Sequence, residues 1–174
     1  RRALAAIGHY LDELINGEPN QPLRLFSIYR DVQTARGQAR ISPTDLFFPD
    51  LSARPPRRAA PSTGQPQGEF LHLVRQARAR FQRGFLAWLR QPEEHSGIAE
   101  MLAAVRFIEG LQEASATRAF WWVAGGFLAA LAEGSVPAET NVKQLCARID
   151  LQIRRLFEGS KNVAERLMRD ALYF

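Results

Sequence analysis

Apolar positions recur every three or four residues along most of this chain, and one stretch has no polar face. From Ala119 to Ala132 (AFWWVAGGFLAALA) there is no charged side chain. A helix that is apolar all round has to be surrounded by other helices. The stretch Leu102 to Gly134, read as two helices back to back, is therefore expected to be the centre of a helical bundle. The segments around it are amphipathic. Gly68 to Gln91 places Phe70, Val74, Ala77, Phe81, Phe85 and Trp88 on one stripe and Arg75, Arg80, Arg83 and Arg90 mainly off it, and Pro92 closes it. Ile98 to Ala114 turns Ile98, Met101, Leu102, Val105, Ile108 and Leu111 inward, with Arg106 on the other side. Ser115 to Thr117 reads as a break with N-cap residues, and Thr117 to Glu133 as the charge-free helix, with Gly134 its C-cap. Gly125-Gly126 in its middle predicts a close approach by a neighbouring helix, or else a kink. Pro137 or Ala138 to Glu158 carries Val142, Leu145, Ile149, Ile153, Leu156 and Phe157 on one face, and Gly159 stops it. Asn162 to Phe174 is the last helix, with Val163, Leu167 and Ala171 inward. No segment alternates with period two, so the fold class is all-α, an antiparallel helical bundle.

The first part of the chain has a different texture. Arg2 to Asn16 has Leu4, Ile7, Leu11, Leu14 and Ile15 at helical spacing, stopped by Asn16-Gly17. A second helix follows from Pro22, with Leu25, Phe26, Tyr29 and Val32 as its stripe and Gly37 at its end. Two such helices cannot cover each other's stripes and need further partners. ISPTDLFFPDL, from Ile41 to Leu51, is a short apolar segment with a turn at Ser42-Pro43 and Thr44 or Asp45 as possible caps. Leu46, Phe47 and Phe48 are expected to dock on a helix surface. Ser52 to Gln67, with Pro55, Pro56, Pro61 and Pro66 among Arg, Ala, Ser and Gln, reads as an extended, mobile linker. The domains are then 1–40, closing helices of one bundle; 41–67, linker with a docked apolar segment; and 68–174, a second bundle cut at its C-terminus. The opening on Arg1 without Met and the uncapped end on Phe174 read as a piece of a longer protein.

Composition narrows the classes. No apolar run reaches the roughly 20 residues of a spanning helix. The lone Cys146 excludes an internal disulfide, fits a cytoplasmic location, and lies near an apolar stripe as a core thiol would. Three histidines with no paired spacing give no metal site and no cofactor is implied. The net charge of +5 is spread along the chain on arginines, which reads first as a solvated surface.

Several pieces resemble a known family. They are GEPNQPLRLFSIYRDVQTARG with DLFFPDLS, then FLAWLR, AFWWVAGGFLAALAEGSV, CARIDLQIRRLFEGS and RLMRDALYF. In content and order they resemble the N-terminal histidine-phosphotransfer (Hpt)-like region of type IV pilus chemosensory hybrid histidine kinases of the ChpA/PilL type, and the related FimL scaffold family. The resemblance implies a phosphorelay setting, with two Hpt-like units joined by a Pro-rich linker. An active Hpt domain needs an exposed His as nucleophile, a neighbouring cation for the phosphoryl oxygens, and a Gly four positions on. The matching turn here is Val105-Arg106-Phe107-Ile108-Glu109-Gly110. Arg106 replaces the His, Glu109 stands where a cation is usual, and Gly110 is kept. Arg is no nucleophile near neutral pH, so the unit reads as a degenerate Hpt bundle. His9, His72 and His95 all lie outside an H-x-x-K-G context. Trp121 and Trp122 are candidate partner contacts: they point about 100° apart, so one of them can reach the rim.

Three functions follow. The first is a non-phosphorylatable scaffold or interaction domain of a pilus chemosensory kinase system. Its partners would be receiver-domain response regulators, a kinase core, or polarity and scaffold proteins, with no small-molecule substrate. The second is an active phosphotransfer domain using one of the three histidines. The third is a basic domain binding nucleic acid or anionic membrane, with the steep salt dependence that implies.

Overall fold

A computed structural model describes residues 1–39, 41–52, 54–57, 66–160 and 162–174. The described residues are all helix, turn and coil, without a strand. The helices are α1 (Arg2–Ile15), α2 (Phe26–Ala35), α3 (Gln67–Arg90), α4 (Ser96–Leu111), α5 (Ser115–Ala132), α6 (Thr140–Phe157) and α7 (Glu165–Tyr173). Residues 1–49 form one compact unit and residues 50–172 another.

In the first unit, α1 and α2 are joined through a 3₁₀ turn, Pro22–Leu25, where helix had been expected from Pro22 onward. Arg24 bridges back to Glu13 at 3.0 Å, and Tyr10 Oη donates to Asn20 Oδ1 at 2.6 Å. The stripe of α1 stays uncovered within this unit, with Leu4 75% and Ile15 82% exposed. A second 3₁₀ turn, Pro43–Leu46, is capped by Ser42 rather than by Thr44 or Asp45. Asp45 takes the reciprocal place of a capping box, accepting from Ser42 N at 3.1 Å. It also accepts from Tyr29 Oη at 3.4 Å, which ties the segment to α2. Leu46 and Phe47 are half-buried, whereas Phe48 is exposed, because the turn aims only some of the apolar run inward.

The second unit is a bundle around one core of α3 to α7 side chains. Val74, Phe81, Trp88, Met101, Ile108, Leu128, Leu145, Ile149 and Ile153 are fully buried, each at a position the periodicity assigned inward or to the charge-free helix. The closest helix crossing is α3 on α4, at two glycines. A Cβ added to Gly84 would lie 2.5 Å from the carbonyl oxygen of Gly97, and one added to Gly97 would lie 2.5 Å from that of Gly84. This is where a neighbour approaches, not at Gly125-Gly126: α5 runs unbroken through that pair, and a Cβ on Gly126 would meet nothing within 4 Å. Nor is α5 enclosed all round, since Trp122 and Gly126 are exposed and Ala129 and Ala130 half-buried.

Arginine–carboxylate pairs join the helices. Arg78 of α3 grips Asp150 of α6 through Nε and Nη2 at 3.1 and 3.0 Å. Arg80 of α3 does the same to Glu100 of α4 at 2.7 and 3.1 Å. Arg148 of α6 holds Asp170 of α7. The described start of the expected linker is anchored rather than loose: Pro55 is buried, and Pro56 O accepts from Arg118 Nη1 at 3.2 Å. Ala53 and residues 58–65, including Pro61, lie outside the described residues.

Candidate interaction site

The turn Val105 to Gly110 sits within α4, whose inward face carries Val105 and Ile108. Helical spacing then turns Arg106 outward, and its side chain is exposed. Its stem passes over α5, with Cγ 3.9 Å from where a Cβ on Gly125 would sit. Glu109, one turn on, points to a different partner. Its Oε1 accepts from Arg118 Nη2 at 2.9 Å, and both side chains are largely buried. Arg118 is the last charged residue before the apolar run of α5, so packing that run draws its guanidinium inside. The Glu109 carboxylate and the Pro56 carbonyl answer two of its nitrogens, while Nε is buried with no partner among the described residues. Glu109 thus serves a buried cation. Arg118 was not singled out by the sequence, although a charge abutting an uncharged helix, nine residues after a Glu, was a usable signal.

Arg106 and Glu109 line a surface groove of about 490 Å³ whose other walls include Trp122, Gly126, Ala130, Leu172 and Phe174. Gly110 does not join them; it lines a separate cavity of about 500 Å³ with Phe70, Leu71, Gln112 and Thr117. Of the two tryptophans, Trp121 is 2% exposed and stacks edge-on with Phe120 at 5.0 Å inside the core. Trp122 is 39% exposed and stands in the groove. The turn of about 100° between neighbours on a helix accounts for the split.

None of the three histidines is among the residues lining this groove. His9, on α1, is exposed, with Nε2 3.5 Å from Glu13 Oε1. His72, near the start of α3, has Nε2 2.8 Å from Gln76 Nε2. His95 is exposed just before α4. Cys146 is fully buried, and burial pushes its thiol up to about 12, so it stays protonated and inert. The Arg80 guanidinium beside Glu100 holds that carboxyl below its usual range. Among the described residues no three His, Cys, Asp or Glu side chains gather as metal ligands, and no helix is long and apolar enough to cross a membrane. The groove has an apolar floor and a cation at its rim, and its described lining includes no His or Cys.

Residues 66–174 match the family described as FimL scaffold protein second domain. The chain belongs to that family. It is also 26% identical over 176 residues to Scaffold protein FimL of Pseudomonas aeruginosa, across 98% of this chain and 31% of that protein. The chain thus spans about a third of the length of this curated relative of the FimL family. No solved structure matches it.

Proposed function

We propose that this chain is a scaffold domain of a two-component chemosensory system governing type IV pili and twitching motility. It would be a cytoplasmic, Hpt-like bundle that docks proteins and carries no phosphate. The bundle at 66–174 belongs to a scaffold family, and a relative along nearly the whole chain is named a scaffold protein. One observation carries the reading further. At the turn that the resemblance aligns with an Hpt phosphoacceptor, Arg106 is exposed where the His would stand, and the Glu109 carboxylate one turn on is bound by Arg118. An arginine stays protonated and cannot attack a phosphorylaspartate. Residues 1–40 would then close a preceding bundle, which fits the bare stripe of α1. The partners would be receiver domains, a kinase core or polarity proteins of the same system.

The test is phosphotransfer. The protein is mixed with phosphorylated receiver domains and the autophosphorylated kinase core of its own system, beside an active Hpt domain, and intact mass is read at neutral pH. No added phosphate is expected. One acid-labile phosphate would sink the reading, and replacing His9, His72 and His95 in turn would name the acceptor.

A further inference from the structure

We propose that the groove between Arg106 and α7 seats an amphipathic helix of a partner protein, one that presents small apolar side chains and an Asp or Glu beside them. The inference rests on the scaffold reading and assigns it a surface. The floor of the groove is the open face of α5, where Trp122, Gly126 and Ala130 follow each other at every fourth position. That row spans eight residue steps, about 12 Å, or roughly two turns of an opposing helix. Gly125, Gly126 and Ala130 are small, and nothing lies within 4 Å of a Cβ on Gly126, so another backbone can come close there. Ala171, Leu172 and Phe174 form an apolar wall on the α7 side. Phe174 is braced from below by Phe127, with ring centroids 6.2 Å apart. An apolar trough of this length bounded by side chains suits an amphipathic helix laid along it.

The charge at the rim selects the partner. Arg106 is exposed and has no anionic partner among the described residues. The groove's own carboxylate, Glu109, is held by the buried Arg118 and lies on that side of it. Arg106 therefore presents an unanswered positive charge next to a half-exposed indole, and a carboxylate on the incoming helix complements it. Arg78, Arg80 and Arg148 are each claimed by a carboxylate of this chain, so Arg106 differs from them in what it offers.

The experiment places a photo-reactive p-benzoylphenylalanine at position 126 of the full-length protein in its own cells, with Leu89, exposed on α3, as a control position. Adducts are digested and the cross-linked peptide is sequenced by mass spectrometry. The expected result at 126 is a helical segment of another protein with an Asp or Glu within one turn of the cross-link, absent at 89. Arg106→Glu should lower its yield at least tenfold, Arg106→Lys should keep most of it, and an unchanged melting curve shows that both variants fold. An adduct to a second copy of the same chain, an acid-free segment, or indifference to Arg106→Glu overturns the proposal. So does the absence of an adduct; if the protein also takes up no phosphate, the groove is lost while the scaffold reading stands.

Discussion

A single buried charge decides what the Glu109 side chain does. Arg118 is almost wholly inside the protein, and Glu109 is the carboxylate that makes this tolerable. Removing one partner of a buried pair leaves the other uncompensated, at a cost of about 3–5 kcal/mol. Glu109→Gln should therefore lower the urea midpoint by far more than Glu100→Gln, whose partner Arg80 is open to water. Equal effects would mean that Arg118 finds another anion. The sequence reading set Glu109 where a cation is usual and did not pair it with Arg118, nine residues on, because only the packing of α5 against α4 draws that guanidinium inside. Cys146 makes a second residue-scale prediction. Burial raises its pKa to about 12, against about 8.5 for a free thiol. The folded chain should not react with a disulfide reagent at pH 8, while the chain in urea should react at once. The sign of the pH effect follows. Above about 8.5 the unfolded chain loses a thiol proton that the folded chain keeps. The contribution is full below that pH and is lost as pH rises toward 12. The Cys146→Ala variant should show less of this alkaline loss in denaturant midpoints.

At the scale of elements, the two kinds of glycine in the bundle separate what pattern reading can and cannot see. Gly125-Gly126 stands out in the sequence because the residues are adjacent in an apolar run, yet no backbone approaches either. Gly84 and Gly97 are single glycines in separate helices, and their relation exists only after α3 and α4 are paired in register. There each occupies the space the other's side chain would need. Gly84→Ala forces a methyl group against a backbone oxygen 2.5 Å away, and overpacking of this kind costs roughly 1–3 kcal/mol. Gly126→Ala meets open space in an exposed helix position and should stabilise by about 0.5–1 kcal/mol. Opposite shifts in melting temperature are the expected outcome, and a shift in the same direction for both would contradict the crossing. The inward positions of α3, α4 and α6 were legible because a helix buried on one side writes its stripe directly into the sequence. The open face of α5 was not, because Trp122, Gly126 and Ala130 are as apolar as the residues they flank. Only the packing of the other helices shows which face was left without cover.

At the scale of the whole molecule, apolar burial is unevenly shared. The core cluster lies entirely at residues 74–171, whereas within residues 1–49 Tyr10 is the one buried apolar side chain among the described residues. Helix stability in proteins comes mostly from packing an apolar face, and α1 leaves Leu4, Ile7, Leu11 and Ile15 exposed. An isolated helix of its 14 residues is marginal in water. Local opening free energies range from near zero up to the global value, following such differences in burial. Amides of α1 and α2 should accordingly exchange with solvent about 10³-fold faster than those in the middle of α3, α4 and α6. Hydrogen exchange read by mass spectrometry on this chain checks it segment by segment. Protection of α1 equal to that of α3 would mean that its stripe is covered in solution. Dilution then separates the two ways that can happen: a second copy lets go as concentration falls, while cover from within one chain does not. Where further helices cover α1, as proposed for residues 1–40, the same amides should slow toward the rate of α3. The slowing would follow from covering Leu4 and Ile15, since each exposed apolar side chain of that size contributes about 1.5–3 kcal/mol once buried. Four such residues on one stripe suffice to move α1 from marginal to fully protected, without any change in its own sequence.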